Sequence, residues 1–326
     1  MSRMANKIAN RQVICAELLR QAQSDPTIFV LASDSRGSAS MTDFVREKPE
    51  QFIETGIAEQ NLVGIAAGMA SFGLKPYVTS PACFLSMRSI EQVKVDVAYS
   101  HQPVRLIGIS GGLSYGALGM SHHSLQDLAV MRAIPGIQIV LPADRHATRR
   151  LMQALWHTAE PVYVRIGRNP VEDVYPDDDM PFSIGKAIRL HEGCDATIIA
   201  CGEMVRGALD AALALEQAGI SCRVLDMHTI KPLDEAAIVA AARETGAVVT
   251  VEEHSVHGGL GAAVAEVLVQ TCPVPMRILG VPDEPAIPGK SAEVFRHYGL
   301  DADGIARQVR ALIEKKIRLP AAGQQR

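Results

Sequence analysis

The sequence predicts an α/β protein of two consecutive three-layer domains with mostly parallel sheets, because short apolar runs alternate along it with helical patterns. The apolar runs are IFVLA near residue 28, VRLIGIS near 104, IQIVLP near 137 and VYVRIG near 162, then ATIIACG near 196, CRVLDM near 222, AVVTVEE near 247 and MRILGV near 276. Strands without polar alternation are buried on both faces, which is typical of a parallel sheet covered by helices.

The segments between these runs have helical periodicity. Val205, Leu209, Ala212 and Leu213 are apolar residues at helical spacing, and Gly219 follows them. This pattern predicts an amphipathic helix that ends near the glycine.

The domain boundary is predicted from a segment rich in acids and prolines. Residues 171–182, VEDVYPDDDMPF, show no periodicity, which is typical of a connection between domains. We assign 1–172 to a first domain, 173–182 to the linker and 183–326 to a second domain. The tail PAAGQQR, at 320–326, is predicted to be disordered.

Composition narrows the class of protein. The formal net charge is -4, so no basic surface for nucleic acid is expected. The first residues lack an apolar signal core and no run is long enough to span a bilayer, so no membrane association is expected. The six cysteines form no CxxC pair, which suits a reducing compartment. We therefore expect a cytoplasmic enzyme.

Two segments could carry chemistry. Glu59 precedes the small and apolar stretch from Leu62 to Met69, and a carboxylate is favoured at the start of such a helix. Farther along, a loop with glycines at 108, 111, 112, 116 and 119 follows a buried strand and contains His122 and His123. Such a loop lies at the carboxyl end of the sheet, where α/β proteins bind ligands, and its glycines would let the backbone approach a substrate.

These segments resemble a known family. GIAEQN followed by GIAAGMASFGLKPYV is similar to the pyrimidine-binding domain of transketolases, deoxyxylulose-phosphate synthases and 2-oxoacid dehydrogenase beta subunits. VLDMHTIKPLD and VVTVEEHSVHGGLGAAVAE resemble the C-terminal domain of the same family. The resemblance covers nearly the whole chain and implies a thiamine-diphosphate enzyme.

The resemblance implies a set of cofactor-binding residues. Glu59 would bond the aminopyrimidine ring of thiamine diphosphate and help to activate the cofactor, which is general acid–base catalysis relayed through the ring. Asp34 matches a residue near the cofactor, and the alternative for its string is an ordinary turn after a strand. An aromatic platform for the pyrimidine is expected at Phe84 or Leu85.

Substrate contacts are implied in the same way. His122 matches an active-site histidine, with Ser110 or His123 assisting, and Ser38 matches a residue near the substrate. Arg168 matches the arginine that holds a phosphate, a role that suits guanidinium because it donates two parallel hydrogen bonds.

Two substitutions and one neighbouring residue complete this comparison. Sugar-phosphate transketolases carry histidine in place of Ser110 and aspartate in place of Leu118, so this chain departs from the usual substrate contacts. Arg165 also lies near Arg168, and a surface salt bridge is as good an interpretation for it.

A partner chain is implied as well. The family holds the diphosphate through Mg²⁺ with a GDG string, and this sequence contains none. We therefore expect Mg²⁺ to be held mainly by an N-terminal, diphosphate-binding transketolase subunit, in a heterotetramer, and we predict no metal ligand in this chain. The predicted reaction transfers a two-carbon ketol unit from an anionic or phosphorylated ketose to an aldose.

Other functions remain open from the sequence. The first is the beta subunit of a 2-oxoacid dehydrogenase. A serine hydrolase is the second, since residues 108–112 fit GxSxG with Ser110 as nucleophile. A zinc site at Glu252, His254 and His257 is the third, and a purely structural subunit is the fourth.

Overall fold

The computed structural model describes residues 8–318, so the tail predicted to be disordered lies outside the described residues. The strands of this part are β1 (Ile28–Ala32), β2 (Phe52–Glu54), β3 (Lys75–Pro81), β4 (Arg105–Ile109), β5 (Gln138–Val140), β6 (Val162–Arg165), β7 (Ile188–His191), β8 (Ala196–Ala200), β9 (Cys222–Asp226), β10 (Thr229–Lys231), β11 (Val248–Ser255) and β12 (Met276–Val281).

The helices alternate with these strands. They are α1 (Asn10–Ala22), α2 (Thr42–Glu47), α3 (Glu59–Ser71), α4 (Ala82–Arg88), α5 (Ile90–Gln92), α6 (Asp127–Ala133), α7 (Arg145–His157), α8 (Met204–Gln217), α9 (Glu235–Thr245), α10 (Leu260–Thr271), α11 (Ser291–Tyr298) and α12 (Ala302–Arg318). The segments Pro49–Gln51 and Gly116–Ser121 are 3₁₀ turns, and Val93–Tyr99 continues α5 as a π-helix. Within the described residues, none of these helices combines the length and apolarity needed to cross a membrane.

The strands form two sheets. The first has the order β10-β5-β6-β4-β3-β1-β2 and the second the order β12-β11-β8-β9-β7. Pairing is parallel throughout except between β10 and β5 and between β7 and β9. The predicted α/β class with mostly parallel sheets is confirmed. Each of the eight apolar runs contains a strand, and β4 and β8 are buried along their whole length.

The predicted helix with its following glycine is α8. Val205 and Ala212 are fully buried, but Leu213 is 39% exposed. The prediction that Leu213 belongs to the apolar face was wrong. At 100° per residue, Leu213 lies about 80° around the helix from Val205, outside the buried face. The buried face is completed by Ala208 and Ala211 instead.

The acidic segment is irregular, as predicted, but it is held firmly. Asp144, the N-cap of α7, accepts hydrogen bonds from the backbone N–H groups of Val174 and Tyr175 at 2.7 and 2.9 Å. The Tyr175 hydroxyl donates to Asp226 at 2.6 Å, and Arg145 pairs with Asp173 at 2.8 Å. The segment therefore ties the two sheets together. The exact boundary between the domains remains a prediction. Strand β10 follows the acidic segment in the sequence but pairs with β5 of the first sheet.

Candidate active site

A cavity of about 470 Å³ lies at the carboxyl ends of the parallel strands of the first sheet, where α/β proteins bind ligands. Its lining is Ser33, Asp34, Ser35, Ser38, Ile57, Glu59, Pro81, Phe84, Arg88, Tyr115, Leu118, His122 and Arg168. Most of the residues singled out from the sequence therefore meet here. Leu85, Ser110 and His123 are not among the lining residues.

Glu59 is the first residue of α3 and is only 3% exposed. Its two carboxylate oxygens accept hydrogen bonds from Nη1 of Arg88, at 3.2 and 3.1 Å. The predicted start of the helix at this residue is confirmed. The carboxylate therefore lies at the positive end of the helix dipole and beside a guanidinium group.

Phe84 and Leu85 of α4, which begins directly after β3, have different surroundings. Phe84 lines the cavity, while Leu85 is fully buried in a hydrophobic core to which both domains contribute. The guanidinium of Arg88 lies 4.1 Å from the centre of the Phe84 ring. Of the two candidates for an aromatic platform, the structure places only Phe84 at the cavity.

His122 and His123 have different surroundings, as expected for adjacent side chains. The His122 ring contacts Phe84 and Tyr115 edge-on, with ring centres 5.3 Å apart in both pairs. Nδ1 of His122 lies 3.0 Å from Oγ of Ser121. His123 is buried, and its Nε2 donates to the carbonyl oxygen of Gly116 at 3.0 Å. Burial lowers the pKa of His123, and the structure does not bring this residue to the cavity.

Beside the lining residues Arg168 and Ser38 lies Arg11, which the sequence did not reveal and which is not itself among the lining residues. Arg11 of α1 donates from Nε to the carbonyl oxygen of Arg168 at 3.0 Å and from Nη1 to that of Ser38 at 2.7 Å. Burial, followed by the nearby charge of Arg168, lowers the pKa of Arg11. The one available signal was its place in the first turn of a helix, where the dipole disfavours a positive charge.

Ser110 does not take part in this cavity. It follows β4 with a φ of 54°, and its side chain is fully buried without a hydrogen-bond partner for Oγ. The predicted substrate contact is therefore not supported by its position. No helix follows directly, and a buried hydroxyl cannot attack a substrate, so the serine-hydrolase alternative is also unsupported.

The glycine-rich loop is packed against the protein itself. A Cβ at Gly111 would overlap Arg165, and one at Gly112 would overlap Glu253 and Arg165. At Gly108 it would overlap the Tyr163 ring. The interpretation that these three glycines make room for a substrate was wrong, because the space is filled by side chains.

Arg165 forms a buried ion pair with Asp127 and not a surface salt bridge. It is 5% exposed, and its Nε lies 3.2 Å from Oδ2 of Asp127, which also accepts a hydrogen bond from Tyr163 at 2.8 Å. Burial alone would lower the pKa of Arg165, but the carboxylates of Asp127 and Glu253 outweigh it and raise the pKa.

The three residues considered as zinc ligands, Glu252, His254 and His257, have different surroundings. Both carboxylate oxygens of Glu252 accept N–H groups of α10, from Leu260 and Gly261, at 2.7 Å. His254 is fully buried, whereas His257 is exposed. Across residues 8–318, no group of three or more His, Cys, Asp or Glu side chains is placed to hold a metal ion.

Comparisons with known proteins agree with this architecture. Residues 6–172 match the family described as the transketolase pyrimidine-binding domain, and residues 185–305 match the transketolase C-terminal domain. An apulose-4-phosphate transketolase subunit from Phocaeicola vulgatus is 53% identical over 95% of this chain and 99% of its own length. A 6-deoxy-6-sulfo-D-fructose transketolase subunit from Clostridium sp. is 40% identical over 92% of each chain.

A solved structure is similar over the same length. It is described as a split gene transketolase, inactive beta4 tetramer, and is 39% identical with a TM-score of 0.85, covering 95% of this chain and 99% of its own. These relatives are transketolase subunits and not 2-oxoacid dehydrogenase subunits. The two matched domains and the full-length similarity show that the chain belongs to the transketolase family, as the small subunit of a split transketolase, a transferase.

Proposed function

We propose that this chain supplies the pyrimidine-binding half of a thiamine-diphosphate site, and that a separate subunit supplies the diphosphate-binding half together with Mg²⁺. When bound, thiamine diphosphate supplies a nucleophilic carbon for cleaving and forming the bond beside a ketose carbonyl. The observation that carries the proposal is that a buried carboxylate, Glu59, and an aromatic ring, Phe84, face the same cavity.

The residues present fit an aminopyrimidine. Such a ring is flat and needs an acceptor for its edge and an apolar surface for its face. In this structure, the flat guanidinium of Arg88 lies on the face of Phe84 while donating to Glu59. The space between Phe84 and Glu59 therefore admits a planar nitrogen-rich group. Asp34 lines the same cavity and we propose that it lies near the cofactor.

Glu59 would act through proton sharing. A carboxylate shielded from water bonds a ring nitrogen strongly and can stabilise its protonated form. Because Glu59 is 3% exposed and begins α3, its position is fixed by the helix. We propose that it is the general acid–base group that activates the cofactor.

A second subunit is needed for the phosphate end. The sequence holds no GDG string. Ile57 and Leu118 line the cavity yet are 71% and 53% exposed, and large apolar side chains exposed beside a ligand site mark a contact surface for another protein. We propose that the diphosphate-binding subunit covers them in a heterotetramer. The free cysteines suit a reducing compartment, and we propose a cytoplasmic location.

The substrate is proposed to be an anionic sugar. Arg168 and Ser38 line the cavity, and the guanidinium of Arg11 lies next to them, donating to the carbonyl oxygens of both residues. Guanidinium is well suited to phosphate and sulfonate groups. Two relatives are named for such sugars, apulose 4-phosphate and 6-deoxy-6-sulfo-D-fructose. His122 lines the same cavity, and we propose that it contacts the sugar oxygens.

The experiment is reconstitution. This chain would be assembled with a diphosphate-binding subunit, thiamine diphosphate and Mg²⁺. Ketose phosphates would be supplied with an acceptor aldose, and release of the donor's aldose fragment and formation of the new ketose would be followed alongside decarboxylation of pyruvate. Ketol transfer without pyruvate turnover is the expected result. Turnover of 2-oxoacids with no ketol transfer would overturn the proposal.

A further inference from the structure

The loop that presents His122 is closed at its base by one pair of residues. We define the active-site loop as residues 112–124. Gly112 N–H donates to the carbonyl oxygen of Ser124 at 3.1 Å, and Ser124 N–H donates to that of Gly112 at 2.8 Å. Between these ends the loop carries Tyr115, Leu118 and His122 to the cavity. The position of this base therefore sets the position of three lining residues.

The base of the active-site loop rests on the second domain. Oε1 of Glu253, in β11, accepts the N–H of Leu113 at 2.6 Å. Nη2 of Arg165 donates to the carbonyl oxygen of Glu253 at 2.5 Å and also lies 3.4 Å from that of Ser124. Just beyond the loop, Ser255 N–H donates to the carbonyl oxygen of residue 125 at 3.0 Å. The end of β11 thus holds both ends of the loop.

The contact leaves the loop little freedom. Glu253 is 4% exposed, and Gly112 lies so close to it that even a methyl group would overlap the carboxylate. Gly112 has a φ of 61°, which other residues adopt at a cost. The glycine therefore serves to bring the loop directly onto the carboxylate of the second domain.

A second carboxylate of the same domain supports the other substrate-facing segment. Oε1 of Glu203 accepts the N–H of Gly167 at 3.0 Å, and a Cβ at Gly167 would overlap the Glu203 carboxylate. Gly167 directly precedes Arg168. The backbone that carries Arg168 is thus held by a carboxylate of the second domain, as is the loop that carries His122.

We propose that Glu253 and Glu203 are positioning residues: the second domain, which contributes none of the described residues that line the cavity, fixes the geometry of the cavity through these two carboxylates. This inference rests on the proposed function. Displacing a contact group by about 1 Å can reduce catalysis on the order of 10²-fold, so turnover is expected to require that both loops are held from behind. Burial raises the pKa of Glu253 to about 7 against the lowering effect of Arg165.

The test distinguishes loss of the hydrogen bond between Leu113 and Glu253 from a general loss of stability. Glu253→Gln keeps an acceptor oxygen for Leu113, whereas Glu253→Met has a similar size and no acceptor. The matched control is Glu252→Met, the neighbouring residue on the same strand. Glu252 is fully buried, and its carboxylate accepts hydrogen bonds from the start of α10 and lies 3.9 Å from Nδ1 of His254. Kinetics would be measured on the assembled enzyme and amide hydrogen exchange on the full chain.

The expected results differ among the variants. Glu253→Met lowers kcat/KM on the order of 10²-fold and speeds exchange across residues 112–124, while Glu253→Gln restores most of both. Glu252→Met lowers the Tm and speeds exchange near residue 260, but leaves kcat/KM of the folded enzyme close to that of the wild type. Glu203→Met raises KM for anionic sugars more than it lowers kcat, because Gly167 adjoins Arg168.

Two outcomes would overturn the inference. One is unchanged loop exchange and kcat/KM in Glu253→Met, and the other is an equal kinetic loss in Glu252→Met. The proposed function is judged separately, by Glu59→Gln. If that variant keeps full turnover, the proposed function fails, and hydrogen exchange in Glu253→Met still decides whether Glu253 positions the loop.

Discussion

Nη1 of Arg88 lies 3.1 Å from Oε2 and 3.2 Å from Oε1 of Glu59, so one guanidinium group contacts both carboxylate oxygens. Arg88 is partly exposed, whereas Glu59 is buried at the start of α3. The buried charge is therefore balanced by a side chain that can move, and by the helix dipole, which cannot. This arrangement keeps the carboxylate in place while leaving its oxygens open to exchange of partner.

We predict that Glu59→Gln folds but loses turnover by about 10²–10⁴-fold, the usual range for a general acid–base group. An amide can still accept a hydrogen bond from Arg88 but cannot share a proton with a ring nitrogen. The measurement is kcat of the assembled enzyme at saturating cofactor. Glu91→Gln, an exposed carboxylate on α5, is the control and should be unaffected. Near-normal turnover by Glu59→Gln would contradict the assignment.

Arg168→Ala is expected to weaken the use of anionic sugars by about 1.5–3 kcal/mol, the usual contribution of a charged hydrogen bond, and that of neutral sugars far less. The reason is that Arg168 lines the cavity, with the positive charge of Arg11 close to it. Comparing kcat/KM for phosphorylated and unphosphorylated ketoses measures this difference. Arg46→Ala, which removes a surface charge on α2, is the matched control. Equal losses for both substrate classes would exclude a role in anion recognition.

The isolated chain is predicted to be inactive and to bind thiamine diphosphate poorly. Glu59 and Phe84 can contact the pyrimidine, but the diphosphate would find no GDG string here. Titration calorimetry with Mg²⁺ and cofactor is the measurement, and adding the diphosphate-binding subunit is the positive control. Micromolar binding with turnover, in a preparation free of a second polypeptide, would show that one chain suffices.

Gly112→Ala should lower the stability of the chain by about 1–3 kcal/mol, because a side chain is forced into a left-handed conformation and against Glu253. Gly68→Ala is the matched control. It lies in α3 with nothing within 4 Å of an added Cβ, so helix propensity should raise stability by about 0.5–1 kcal/mol. Thermal unfolding of the two variants measures both effects, and equal shifts of Tm would contradict the packing described for the loop.

The stability of the chain should also depend on pH through Glu253. Its pKa is raised to about 7 in the folded state, first by burial, from the usual value of about 4.3 for glutamate. The folded state then binds more protons than the unfolded state between these values, so this contribution to stability is lost as the pH rises from about 4.3 to about 7. The amide of Glu253→Gln cannot ionise, so this variant does not lose stability in the same way as the pH rises.

Calorimetric Tm values at pH 5, 6, 7 and 8 would check this difference. The free energy of unfolding of Glu253→Gln should rise relative to that of the wild type by about 2–3 kcal/mol between pH 5 and pH 8. A constant difference between the two proteins over this range would show that Glu253 does not titrate there.

The fold class followed from the sequence because it depends on local properties. Uniformly apolar runs mark strands that are buried on both faces, and helical spacing marks the segments that cover them. The start of α3 at Glu59 was predicted for the same reason, since a carboxylate suits the first turn of a helix. The family resemblance added roles for Glu59, His122 and Arg168, and the fold brings these three residues to one cavity.

Only the tertiary structure decided which side chains contact each other across the fold and which face the cavity. Phe84 and Leu85 are adjacent in the sequence, and only the packing of α4 shows that Phe84 faces the cavity and Leu85 the core. Arg11 reaches Arg168 across 157 positions. Gly112, at the base of the active-site loop, meets Glu253, which lies 140 positions after Leu113. Such contacts depend on how two sheets are placed together, and this placement is set by the summed burial of many side chains, so no short motif encodes it.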